Sequence, residues 1–235
     1  EEIARSKCGI IKGGNAVAAL DIPEPAMDVI RERCAQTGAR LITPDRSELE
    51  ILEKPGLRGS RFRYRGQEYR LNLGGAYQVT NALTAIEALT CAGVTPAHIA
   101  MGIERARIPA RMELLPGDIL LDGGHNPQAA RAVRSALEDS GYERRTAFIG
   151  MMNTKDHRAF LQEILPCFDR VYFCDGFSEG EVPAEELRRI SGLDGAEIFH
   201  SPREALKFAR RDREGGLMYF GGSFYFAAAV REYLV

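Results

Sequence analysis

From Ile119 onward the chain alternates short apolar runs with helical patterns, and nothing else in it limits the possible folds as strongly. The runs are Ile119–Leu121, Ala147–Gly150, Val171–Cys174, Glu197–Phe199 and Leu217–Phe220. The helical patterns lie near Pro127–Ser140, Asp156–Leu165, Ala184–Ile190 and Pro202–Arg210, with a last one over Ser223–Tyr233. Strands alternating with helices of this length predict a mostly parallel sheet covered on both faces, because parallel neighbours need a crossover that packs back on the sheet. Ligands of such sheets sit beyond the carboxyl ends of the strands. Two glycine-rich loops fall there, Gly123-Gly124-His125-Asn126 and Gly221-Gly222-Ser223. In the first, Asn126 is placed to cap a helix that Pro127 begins, and the amides beyond it favour an anion.

Residues 10–109 read differently. A strand (Ala16–Leu20), a helix (Pro25–Thr37) and a strand (Arg40–Thr43) precede two alternating stretches, Arg61–Tyr64 and Glu68–Leu73, around Arg65-Gly66-Gln67. Alternation with period two predicts a hairpin. Helices follow at Tyr77–Cys91 and Pro96–Arg105, the second with Thr95 as cap and Pro96 in its first turn. Glu1–Lys7 reads as a helix end running into an apolar, strand-like segment. Ile108-Pro109 reads as a connector, which divides the chain into 1–109 and 110–235.

With 31 basic and 33 acidic residues the net charge is −2, which argues against a dedicated nucleic-acid or membrane-surface binder and for small-molecule chemistry. The five cysteines are scattered without a C-x-x-C pair, so neither a disulfide framework nor a zinc site is expected, and a cytoplasmic location fits. No apolar run approaches the ~20 residues that span a bilayer. No Gly-Lys dipeptide and no G-x-G-x-x-G occur, so the chain has no Walker A loop of its own.

Six residues are candidates for chemistry, each with a plain alternative. Asp122 ends an apolar strand before two glycines, so its carboxylate is expected to face the crevice, where it would accept from a ribose; a turn-forming Asp is the other reading. His125 stands at the helix mouth, facing phosphate or merely incidental. Ser223 opens the last helix, as part of an anion nest or as an ordinary cap. Arg111 lies on the connector, clamping an anion or solvated. Asn81 carries donor and acceptor for an adenine edge, or faces water. Lys7 ends a helix, where a lysine complements the dipole.

Five segments in order, Ile3–Lys12 (I-A-R-S-K-C-G-I-I-K), Tyr77–Ala82 (Y-Q-V-T-N-A), Ala110–Glu113 (A-R-M-E), Leu121–Pro127 (L-D-G-G-H-N-P) and Gly221–Tyr225 (G-G-S-F-Y), resemble the folylpolyglutamate synthase/dihydrofolate synthase family of Mur-type ligases. The resemblance runs over essentially the whole chain, and L-D-G-G-H-N-P is closer to the folate branch than to the cell-wall branch. It implies an α/β fold: the C-terminal part of a Mur-ligase-type ATPase domain, then a Rossmann-like domain with a mostly parallel sheet. It implies a monomer in folate biosynthesis and one-carbon metabolism, with ATP and Mg2+ as cofactors and small molecules as partners. A carboxylate of folate or dihydropteroate is phosphorylated by ATP, and the amine of L-glutamate attacks the acyl phosphate. By the same resemblance Lys7 is the lysine carbamylated by CO2 that supports a magnesium site, Asn81 meets adenine, Arg111 the ATP phosphates and Asp122 the ribose. His125 and Ser223 face the reacting end.

Three departures stand out. Ser6 replaces the family's Glu before the lysine, Ala110 replaces a Gly before the arginine, and Phe177–Pro183 replaces a Pro-Arg-Ala segment. The family's P-loop and magnesium ligands lie upstream of where this sequence begins, so the 235 residues are expected to be an inactive fragment of the ligase. Two other readings remain: another Mur-type amino-acid ligase, and a noncatalytic Rossmann-like binding module.

Overall fold

The computed structural model describes residues 1–138, 140–154, 156–211 and 216–234. By spatial contacts the chain forms two compact units: Glu1–Lys54, Ser60–Asn72 and Tyr77–Ala106 make the first, and Pro55–Gly59, Leu73–Ala76 and Arg107–Val235 the second.

The first unit contains α1 (Glu2–Cys8), β1 (Asn15–Val17), α2 (Glu24–Thr37), β2 (Arg40–Ile42), most of β3 (Leu49–Gly56) and β4 (Gly59–Tyr64), β5 (Gln67–Leu71), α3 (Tyr77–Cys91) and α4 (Pro96–Arg105). β1 and β2 pair in parallel, with α2 as the crossover. The expected hairpin is present: β4 and β5 are antiparallel, with Arg63 opposite Glu68 and Phe62 opposite Tyr69. Ser60, Phe62 and Tyr64 point inward, whereas Arg61 and Arg63 point outward to Glu50, Glu53 and Glu68. The buried Tyr64 hydroxyl donates to the buried Glu87 at 2.5 Å, and Arg65 closes on the same carboxylate at 3.0 Å, tying the hairpin to α3.

Two local readings are corrected here. The stretch after α1 is not a strand: Ile10 is 85% exposed, and Gly13 and Gly14 take positive φ before β1 starts at Asn15. β3, which no periodicity in the sequence marks, lies beside β4: its exposure does not alternate, with Leu49 and Leu52 half-buried and Glu50, Ile51, Glu53 and Lys54 exposed.

The second unit is built on one six-stranded sheet. Its elements are β6 (Glu113–Leu115), β7 (Ile119–Asp122), α5 (Pro127–Glu138), β8 (Arg145–Ile149), α6 (His157–Ile164), β9 (Arg170–Cys174), α7 (Ala184–Ser191), β10 (Ile198–Phe199), α8 (Pro202–Arg211), β11 (Leu217–Gly221) and α9 (Phe224–Arg231). The strand order is β10-β9-β8-β11-β7-β6; β7 through β11 are parallel and β6 is an antiparallel edge. The chain walks outward from β7 to β10, then returns to insert β11 between β7 and β8. Right-handed crossovers therefore put α5, α6 and α7 on one face and α8 on the other, where α9, which follows the last strand, packs beside it; α5 packs on α6 and α6 on α7. The mostly parallel α/β sheet is as expected. α5 ends at Glu138, and residue 139 of the predicted helix lies outside the described residues.

β7 and β11 are buried along their whole length, which is why they read as unbroken apolar runs. Phe148 stacks on Phe220 with centroids 4.6 Å apart, and both are fully buried. Truncating either to Ala removes a core aromatic and costs about 3–5 kcal/mol. The sheet is thus a rigid support for the loops at its carboxyl edge.

Candidate functional site

Asp122 is the last residue of β7, and its position corrects one expectation: the carboxylate is turned inward, not toward an open crevice. Only 3% of the residue is exposed. One oxygen accepts from the Gly124 amide at 2.8 Å and the other from the Met112 amide at 2.9 Å. Burial pushes the carboxyl above the usual carboxylate range, and the two amide donors pull in the opposite direction. The physical reason for the inward turn is local: an Asp at the end of a buried strand meets unpaired amides of two loops before it meets solvent. Each oxygen keeps a second lone pair.

The Met112 amide belongs to a turn that presents Arg111. Ala110 and Met112 both adopt left-handed backbone, with φ of 53° and 45°, although neither is glycine. Both are buried, whereas Arg111 between them is exposed. Four contacts hold the turn: the Met112 amide on Asp122, the Ala110 amide on Glu113 at 2.9 Å, the Gly123 amide on the Ala110 carbonyl at 2.7 Å, and Gly74 packed behind it. A Cβ at Gly74 would come within 2.9 Å of the Met112 carbonyl oxygen, so only glycine allows that approach. Arg231 of α9 completes the arrangement, with Nε 3.1 and 3.0 Å from the two Glu113 oxygens. Strained non-glycine backbone that is held this firmly clusters at functional sites.

His125 is half-buried beside the same loop, and Nδ1 lies 3.2 Å from the Gly123 carbonyl. Nδ1–H donates to that carbonyl, and Nε2 is the ring nitrogen left for a ligand, as acceptor in the neutral ring and as donor in the imidazolium. Asn126 accepts from the Ala129 amide at 2.9 Å, capping α5 as its sequence position predicts. Ser223 caps α9, accepting from the Tyr225 amide at 3.1 Å; it is buried, and its hydroxyl proton remains free to donate elsewhere. Asp122, Arg111, His125 and Ser223 all lie along the carboxyl edge of the sheet. Asn81 and Lys7 belong to the first unit. Asn81 is exposed on α3 and donates one amide hydrogen to Gln78 at 2.9 Å, leaving its carbonyl oxygen and a second N–H.

The 177–183 loop follows β9, and here the structure supplies what the sequence did not signal. The amides of Gly176, Phe177 and Ser178 all converge on the Glu181 carboxylate, at 2.6, 2.8 and 2.9 Å. Next to it Asp175 accepts from His200 at 2.9 Å and from the Ala184 amide at 2.8 Å, so the imidazole is held above its usual pKa by the hydrogen bond and charge of Asp175. Asp175, Glu185 and His200 are the one group of three potential metal-ligating side chains among the described residues, and their mutual pairing accounts for them.

Lys7 lines a cavity of about 370 Å³ with Ala4, Ile10, Ile11, Val17 and Leu41. No carboxylate or histidine is among the described residues that line it, so a carbamate on the Lys7 amine would be the carboxylate-like group there.

Comparisons with known proteins agree with this fold. Residues 110–224 match the family described as Mur ligase, glutamate ligase domain. The folylpolyglutamate synthase of Lacticaseibacillus casei is 29% identical over 252 residues, spanning 99% of this chain and 57% of that protein. Folylpolyglutamate synthase of Mycobacterium tuberculosis, solved with ADP and AMPPCP, superposes with a TM-score of 0.85 at 22% identity, over 99% of this chain and 59% of that one. E. coli FolC, solved with DHPP and ADP, gives 0.79 at 25% identity over 98% and 56%. The chain thus spans a little over half the length of these relatives. Residues 110–224 thus match the glutamate ligase domain of the Mur ligases, and the chain over nearly its whole length is similar to folylpolyglutamate synthases.

Proposed function

We propose that these residues take part in the ATP-dependent attachment of L-glutamate to folate or dihydropteroate through an acyl phosphate. The observation that carries the reading is the clamped turn at 110–112, which holds an exposed guanidinium beside the His125 loop and within the region matching the ligase family. Relatives solved with ADP, AMPPCP and DHPP support a nucleotide and a small-molecule substrate. Residues 1–109 are read as the later part of the ATPase domain and 110–235 as the ligase domain, acting as a monomer in the cytoplasm. The cysteines, all free thiols, accord with that location.

In this reaction a substrate carboxylate oxygen attacks the γ-phosphorus and ADP leaves; the glutamate amine then attacks the carbonyl carbon and phosphate leaves. Arg111 offsets charge on the transferring phosphoryl group, which is where a preorganised cation is worth most. Asp122, buried with both oxygens on backbone amides, fixes the backbone on which Arg111 and His125 stand. His125 Nε2 and the Ser223 hydroxyl face the phosphate and the incoming amine, and Asn81 meets adenine. A carbamate on Lys7 with Mg2+ is the resemblance's further implication. In the complete ligase that carbamate would supply one carboxylate-like ligand to the metal, and the metal would offset charge on the transferring phosphoryl group.

The test is glutamate-dependent ADP release with dihydropteroate or folate whose carboxylate carries oxygen-18. Label in the released phosphate establishes the acyl phosphate, and activity only with UDP-linked precursors would point to a cell-wall ligase instead. Nucleotide binding without any turnover, in the protein that includes a Walker A loop, would favour a noncatalytic module. His125→Ala is expected to lower kcat by roughly 10²-fold. The 235 residues alone, lacking a Gly-Lys-Ser/Thr loop, are expected to release no glutamate-dependent ADP.

A further inference from the structure

We infer that Glu113, gripped by Arg231, is a positioning residue that sets the direction of the Arg111 guanidinium; the inference rests on the reading of Arg111 as a phosphate contact. Glu113 Oε2 accepts from both the Ala110 amide and Arg231 Nε, so one carboxylate joins the strained turn to α9. The turn needs such a brace. Left-handed backbone at Ala110 and at Met112 is unfavourable for residues with a Cβ, and each needs a fixed acceptor for its amide if the conformation is to persist. Asp122 supplies the acceptor for Met112, and Glu113 supplies it for Ala110. An exposed arginine on a turn without both braces would sample many directions.

Arg231 contributes differently from Glu113. It touches no atom of the turn itself among the contacts described, but it pins the carboxylate that does, with both side chains about a quarter exposed on average, at 31% and 19%. Losing it frees Glu113 to rotate into solvent. A partly buried charge pair of this geometry is sensitive to removal of one partner.

The experiment measures the Kd of a nonhydrolysable ATP analogue on the complete ligase that carries the Walker A loop and on its Arg111→Met, Glu113→Gln, Arg231→Met, Arg231→Lys and Arg111→Met/Glu113→Gln variants, each confirmed folded by its thermal transition. Arg111→Met is expected to raise Kd about tenfold, and Glu113→Gln and Arg231→Met about three- to fivefold. Arg231→Lys should recover part of the loss, and the double variant should be no weaker than Arg111→Met, because Glu113 acts only through Arg111. Additive losses in the double variant, or wild-type affinity in Glu113→Gln and Arg231→Met beside a weakened Arg111→Met, overturn the inference and leave the phosphate reading intact. An unchanged Kd in Arg111→Met instead overturns the phosphate reading, and the positioning role with it.

Discussion

Two carboxylates at the carboxyl edge of the same sheet shape backbone in opposite surroundings. Asp122 is 3% exposed and takes two amides from two separate segments, residues 112 and 124. Glu181 is half-buried and takes three amides, all from residues 176–178 of its own loop. The count of hydrogen bonds favours Glu181, yet burial decides the consequence of losing them. A buried amide stripped of its acceptor stays unpaired, whereas a loop amide at the surface finds water. Asp122 therefore joins distant parts of the chain, and Glu181 folds one loop.

The largest effect that could break this contrast is Asp122→Ala, expected to destabilise the protein by about 3 kcal/mol because two buried donors lose their partner. Urea unfolding would show it as a lower midpoint at unchanged slope. Glu181→Ala should cost about 1 kcal/mol and appear chiefly as faster hydrogen exchange at Gly176, Phe177 and Ser178. Equal costs for the two would show that hydrogen-bond number, and not burial, governs these loops. Ala110→Gly sharpens the point from the backbone side: removing the Cβ from left-handed backbone should stabilise by roughly 0.5 kcal/mol, strain relieved less the greater freedom of glycine in the unfolded chain.

The smallest effect is in pH. His200 is exposed and its pKa is raised by Asp175, so its contribution is fully present below about pH 6.5 and is lost as pH rises through the higher folded value. NMR titration of His200 should give a midpoint above 6.5 that returns toward it in Asp175→Asn. An unchanged midpoint would remove Asp175 as the cause.

The sequence was most legible where one element decides its own form. α3 and α4 occupy the residues expected, since helical periodicity, Thr95 and Pro96 are local signals. The buried strands β7, β8, β9 and β11 were visible as apolar runs. β6 was not, because three residues paired antiparallel at an edge carry too little pattern. At the candidate site, Asp122 and Arg111 could be picked out, but not their relation: the acceptor and the amide that meet are ten positions apart and are joined only by sheet pairing. Arg231 and Glu113 lie 118 positions apart, and neither has a motif that points to the other. Glu181 was missed for a different reason, since a glutamate in a glycine-containing loop looks like any solvated charge.

The short helix α9 begins at the Ser223 cap beside Gly221-Gly222 and ends in the arginine that grips Glu113. Eight helical residues span about 12 Å, a length over which an α-helix is mechanically stiff. Its two ends are therefore a strut rather than a hinge: a tilt that lifts the glycine loop at one end drags on the arginine turn at the other, and neither loop can be repositioned without loading its counterpart.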